Sequence, residues 1–264
     1  MIKQQTTLFF TALQFYTRLP IPKWVEYKPE NLSLATRFLP FVGCLVGLVA
    51  GMAWVSAGYL TSTDIGLVLS MIVSILTTGG FHEDGFADVC DGFGGGWTKT
   101  KILEIMKDSR VGTYGAVGLI LILGLKFCLL QYLAVLVHGE ICLLILILTS
   151  AHAISRFMPA LVIFTQAYAR DTDDSKSKPV AEVASTATIL VAGFFAITPL
   201  FLLCLISNQF FSAFSVGFLL LITFFLSRYF NRWIGGYTGD CLGAIQQICE
   251  VGFYLFLAVL WKFI

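Results

Sequence analysis

Charge is scarce in this chain. Its 264 residues include 17 Lys and Arg and 16 Asp and Glu, 12% in all, where a soluble protein carries about a quarter. So few charges cannot coat a water-facing surface around 57% hydrophobic residues and 24 Phe. With a mean hydropathy of +0.84, the chain needs lipid to cover what one aqueous core cannot hold. A strong net field is also missing: the formal charge of +1 argues against bulk nucleic-acid binding, so partners must be read locally. The seven Cys include no CxxC pair and sit mostly in apolar runs, which excludes a disulfide framework and marks them as reduced packing residues. No signal peptide is expected. The stretch from Thr6 to Phe15 is followed by Arg18, Pro20 and Pro22 before any small-residue cleavage site, and reads as a retained interfacial segment.

What the chain has instead is a series of apolar runs long enough to cross about 30 Å of hydrocarbon as helices. There are about seven: Phe38 to Leu60, Ile65 to Phe81, Tyr114 to Val137, Ile141 to Phe164, Thr188 to Ile206, Phe210 to Leu226 and Cys241 to Ile264. They take up more than half the residues, so residues 1–264 read as one membrane-embedded catalytic domain, an all-α polytopic integral membrane protein. Lys3, Arg18, Lys23, Lys28 and Arg37 precede the first run. Lys99, Lys101, Lys107 and Arg110 follow the second, Arg170, Lys176 and Lys178 the fourth, and Arg228 and Arg232 the sixth. The alternate connections carry no Lys or Arg. The positive-inside rule then predicts a cytoplasmic N-terminus and a multi-pass protein of the inner (plasma) membrane, with its chemistry on the cytoplasmic side.

That chemistry is expected in the connection over residues 79–115. Glu83, Asp84, Asp88 and Asp91 fall within nine positions, with no Lys or Arg between Gly79 and Thr98. If the segment is helical, Asp84, Asp88 and Asp91 share one face. Crowded carboxylates repel unless a cation intervenes, and all-oxygen ligands select Mg²⁺, Mn²⁺ or Ca²⁺. A merely solvated acidic loop has no reason to place its acids on one face directly after an apolar run. Gly92 and Gly94 to Gly96 follow, and Gly94 and Gly95 are read as letting backbone amides approach a substrate anion. Lys107 and Arg110 come next, suited to the oxygens of a metal-bound diphosphate, whereas Lys99 and Lys101 are read as topology charge.

A second group opens the last run. Asp240, Gly243, Gln247 and Glu250 share one helical face, and a carboxylate inside a membrane helix is expensive and usually functional. Glu250 is a candidate metal or supporting group. In the fourth run an Arg in hydrocarbon needs a partner or a polar cavity, so Arg156 is expected to point inward toward an acid or a substrate phosphate. His152, one turn away, reads as packing, and Lys126 as snorkelling or internally paired.

At these residues the chain resembles the cobalamin synthase family, the adenosylcobinamide-GDP ribazoletransferases. The resemblance lies in FYTRLPIP from Phe15 to Pro22, GGFHEDGFADVCDGFGGG from Gly79 to Gly96, EIMKDSRVGTYG from Glu104 to Gly115, and GGYTGDCLGA from Gly235 to Ala244. It covers essentially the whole chain. Glu83 departs from it, since relatives often carry an apolar residue there. The resemblance implies a Mg²⁺-requiring membrane enzyme that joins adenosylcobinamide-GDP to α-ribazole, or its 5′-phosphate, and releases GMP. On that reading Asp84, Asp88, Asp91 and Asp240 are catalytic, with the metal on Asp84, Asp88 and Asp91, and on Glu83 and Glu250 as further candidates. Lys107, Arg110, Arg156, Gly94 and Gly95 then bind substrate.

Two rivals compete. A CDP-alcohol phosphotransferase also releases a nucleoside monophosphate, but its aspartates follow a different spacing from Asp88 and Asp91, with an Ala-Arg pair absent here. An ion-coupled transporter would place its acids near the midplane of related halves, whereas these acids gather on one side and no repeat is visible.

Overall fold

The computed structural model describes residues 2–26, 28–170 and 186–263. Lys176 and Lys178, counted above as topology charges, and Ile264, the end of the last run, lie outside them. Eleven helices are described: α1 (Ile2–Tyr16), α2 (Glu30–Ala35), α3 (Leu39–Leu60), α4 (Thr63–Thr78), α5 (Phe81–Gly95), α6 (Lys99–Ile105), α7 (Thr113–Leu136), α8 (Ile141–Thr165), α9 (Thr186–Ser207), α10 (Ser215–Ile234) and α11 (Gly239–Phe263). Short 3₁₀ turns lead into α3 and α10. The all-α expectation holds.

Among the described residues six stretches are long and apolar enough to cross a membrane: Glu30–Leu60, α7, α8, α9, Phe210–Ile234 and α11. The run expected from Ile65 to Phe81 is different. Ser62 caps its start, accepting from the Ile65 N–H at 3.3 Å, and α4 stops at Thr78 after 16 residues, about 24 Å at 1.5 Å per residue. Gly79 and Gly80 follow with φ of 69° and 70°, a left-handed pair that only glycine adopts without strain. The Gly80 N–H returns to the Ile75 carbonyl at 2.9 Å, and α5 departs at 89° to α4. The two make a seventh span only if the bent pair is taken as one. By itself α5 is not one of the six.

The bundle is centred on α8 and α11, of which 67% and 72% of the apolar stretch is buried, against 28% for α7 and for α10. Lipid tails give helices no hydrophobic reason to associate, so close backbone packing must do it. Gly43, Gly47 and Gly51, spaced by four on α3, lie against α8: a Cβ at Gly47 would sit 2.6 Å from the Thr149 Cα. Helix α1 docks on the outside of this pair through Leu8, Ala12, Leu13 and Tyr16, against Phe38, Val42 and Val46.

Candidate active site

The elbow at Gly79–Gly80 forms one wall of a cleft of about 1250 Å³. Facing it are the end of α1, the start of α11, the α6–α7 connection and Arg170 beyond the end of α8. Acids and cations share its lining: Glu83, Asp84 and Asp240 with Arg18, Lys107 and Arg170.

The acids meet because α5 and α11 cross at glycines. A Cβ at Gly85 would lie 3.0 Å from the Asp240 Cα, and one at Gly243 would lie 3.2 Å from the His82 carbonyl oxygen. Asp84 and Asp88 are thereby brought to the first turn of α11. Half-burial pushes Asp88 up to about 7, and the neighbouring carboxylates of Asp240, Asp84 and Asp91 add to the rise while Arg170 opposes it. This is the electrostatic signature of an acid cluster with too few cations.

Asp240 is held from two sides on one oxygen. Its Oδ2 accepts from Arg170 Nη2 at 2.7 Å and from the Thr238 hydroxyl at 3.2 Å, while the Thr238 oxygen caps α11 by accepting from the Cys241 N–H at 3.3 Å. Arg170 reaches this place through an isolated parallel bridge between Tyr168 and Tyr237. Tyr237 N–H donates to the Ala167 carbonyl at 3.0 Å, and Ala169 N–H to the Tyr237 carbonyl at 2.8 Å. Gly236 permits the bridge, since a Cβ there would lie 3.0 Å from the Ala167 carbonyl carbon.

Several residues expected at the site have other duties. Asp91 is buried, accepting from the Gly112 N–H at 2.7 Å and the Gly115 N–H at 2.9 Å. These amides open α7, so Asp91 is a long-range cap and not an arm of the cleft. Gly94 and Gly95 are helical, with their amides inside α5, and form no anion cradle; a Cβ at Gly94 would lie 2.5 Å from the Tyr114 ring. They let α5 pack tightly on its neighbours. Arg110 closes on Asp108 at 2.6 Å in an exposed pair and does not line the cleft; that pairing holds Asp108 down at about 2.

Glu250 and Arg156 lie inside the bundle, away from the cleft lining. Glu250 pairs with Lys126, approaches His152 Nδ1 at 3.4 Å and accepts from Gln246 Nε2 at 2.7 Å. Arg156 donates to the His152 carbonyl at 3.0 Å. The buried Lys126–Glu250 ion pair at its centre is the kind of charge compensation a bundle interior demands. Gln247 joins it to the cleft, donating to Gln246 Oε1 and to Glu83 Oε1, both at 3.0 Å.

Among the described residues no three His, Cys, Asp or Glu side chains converge to hold a metal ion by themselves. Two residues that the sequence offered only as charges belong to the cleft, Arg18 and Arg170. The one hint for Arg18 is its place in the Phe15 to Pro22 run.

Fold and cleft together define a multi-pass helical membrane protein with a mixed acid and base site at the end of its bundle. The chain matches the Cobalamin-5-phosphate synthase family over residues 8–258, and it belongs to that family. It is 43% identical to the adenosylcobinamide-GDP ribazoletransferase of Shewanella woodyi, over 97% of this chain and 97% of that one. The corresponding figures for the Leptospira interrogans enzyme of that name are 42%, 99% and 98%, and for the Shewanella oneidensis one 44%, 97% and 95%. These relatives make the chain a transferase. No solved structure matches it.

Proposed function

We propose that this chain is an adenosylcobinamide-GDP ribazoletransferase, joining adenosylcobinamide-GDP to α-ribazole or its 5′-phosphate with release of GMP. The observation that carries the reading is the cleft itself, lined by Asp84, Asp240 and Lys107 with Asp88 electrostatically coupled to both acids from one turn further along α5, in a chain related end to end to enzymes of that name. A ribose hydroxyl oxygen attacks the phosphorus on the corrinoid side. The new P–O bond forms as the bond to the GMP phosphate breaks, GMP leaves with the electron pair, and the hydroxyl proton passes to a carboxylate. Asp240 suits that task, because both of its hydrogen bonds among the described residues fall on Oδ2. Lys107, exposed on the cleft, takes phosphate oxygens.

The donor set fits Mg²⁺. The cleft acids are all oxygen ligands, and Asp84 and Asp88, one turn apart, are the one or two carboxylates that Mg²⁺ uses beside waters and substrate phosphates. An ion held there would neutralise diphosphate charge. Three acids on one ion are not needed for that mode, in keeping with their arrangement here. The Lys and Arg distribution supports a cleft facing the cytoplasm from the inner membrane. The substrates are small molecules in contact with a lipid-embedded protein.

The test is reconstituted protein given adenosylcobinamide-GDP and α-ribazole, with GMP and the corrinoid product followed with and without EDTA. Metal-dependent release of both supports the reading. A folded preparation that makes neither, but turns over a CDP-alcohol or moves an ion, overturns it.

A further inference from the structure

Arg170 has a donor with nothing to do. Its Nη2 is on Asp240 at 2.7 Å, yet its Nε is buried without a hydrogen-bond partner among the described residues. Such a donor on a charged group is costly and rarely left empty. Three further features point the same way. The guanidinium lines the cleft. Its backbone is fixed by the Tyr168–Tyr237 bridge, so the fork is presented by a pinned strand-like segment rather than a free side chain on a loop. The other cleft cations, Arg18 and Lys107, are exposed and, among the described residues, have no carboxylate within 4.0 Å, so they too stay open to an anion.

We infer that Arg170 is a substrate-binding residue whose Nε–H takes a phosphoryl oxygen of the nucleotide diphosphate, with Asp240 holding the other side of the guanidinium in readiness. An arginine suits this role because its planar fork serves two acceptors at fixed geometry, where a lysine supplies only a point charge. The assignment deepens the proposed function and rests on its premise that the substrate carries a GDP group. It adds a contact that the sequence reading gave to Arg110 and Arg156, neither of which lines the cleft.

The experiment uses full-length protein in lipid nanodiscs, with GMP and inorganic pyrophosphate as probes and thermal unfolding read alongside. Arg170→Gln is expected to weaken both probes about ten- to a hundredfold, the worth of one charge-assisted hydrogen bond, and to raise the KM for adenosylcobinamide-GDP with little change in that for α-ribazole. Arg170→Lys is expected to fall between it and the unaltered protein. The double variant Arg170→Gln, Asp240→Asn separates binding from folding. Removing the stranded carboxylate restores thermal stability, but affinity for GMP and pyrophosphate stays low. The inference is overturned if the double variant regains affinity, since Arg170 then serves only to neutralise Asp240, or if folded Arg170→Gln binds both probes within twofold of the unaltered protein. Should that unaltered protein make no GMP from adenosylcobinamide-GDP, the functional reading fails on its own. Pyrophosphate binding then still decides the phosphate assignment, upholding it if lost in Arg170→Gln and refuting it if kept.

Discussion

Asp91 on α5 closes the N-terminus of α7, its two carboxylate oxygens 2.7 and 2.9 Å from the amide nitrogens of Gly112 and Gly115. The helix dipole and two orphan N–H groups are satisfied by one side chain from a different helix. Asp91→Ala is therefore expected to lower stability by about 1–2 kcal/mol, with Asp91→Asn losing less. Thermal unfolding in nanodiscs checks the loss. The apparent Mg²⁺ requirement of activity is expected to be the same in Asp91→Asn as in the unaltered protein; a large rise in it would return Asp91 to the metal.

Asp84 and Asp88 are expected to behave oppositely. Asp84→Ala or Asp88→Ala leaves α5 seated on α11, because that packing rests on Gly85 and Gly243. GMP release should nevertheless fall by about a hundredfold or more, the scale of losing a group that stabilises transition-state charge. Normal activity in either folded variant would remove it from the catalytic set.

Proton competition gives a pH test. Asp88 sits at about 7 through burial and its acid neighbours, and a carboxylate must lose its proton to ligate a metal. The Mg²⁺ concentration for half activation should be flat above pH 7 and climb as pH falls below it, approaching tenfold per unit. In Asp88→Asn that climb should vanish. The same raised value means that the ionised form is disfavoured by folding, so this group's contribution to stability is greatest at low pH and is lost as pH rises through about 7.

Inside the bundle, Lys126, Glu250, His152 and Arg156 form a closed set of contacts. Glu250→Gln strands the buried Lys126 and should cost about 3–5 kcal/mol. Lys126→Met with Glu250→Gln should cost less than the single change, since one cation leaves with the anion. Unfolding measurements on the three variants check the non-additivity.

Much of this was legible because charge is so rare in the chain. Asp84, Asp88 and Asp240 stood out against apolar surroundings, and the structure brings them together. The glycines after Asp91 read in sequence as an anion loop, because nothing in the run itself shows that Gly92 and Gly94 meet Met106 and Tyr114 in close helix packing. Arg156 reads in sequence as facing either an acid or a substrate phosphate, because the members of its cluster on α7 and α11 are far from it in the chain. Arg170 looked like topology charge because only the bridge to Tyr237 carries it to Asp240. In sequence the second run extends past its helix because hydrophobicity continues through Phe81, whereas the backbone turns at the two glycines before it.

The hydrogen bond from Gln247 to Glu83 spans 164 residues, and that separation is also a time. A ribosome adding about 5–20 residues per second needs roughly 8 to 30 s after Glu83 before Gln247 exists. During that interval α5 has been made but its partner on α11 has not. The 89° turn at Gly79–Gly80 sets the direction of this acid-bearing helix before that partner exists. The cleft is consequently finished last, and chains shortened before α11 should insert their earlier spans yet bind no substrate.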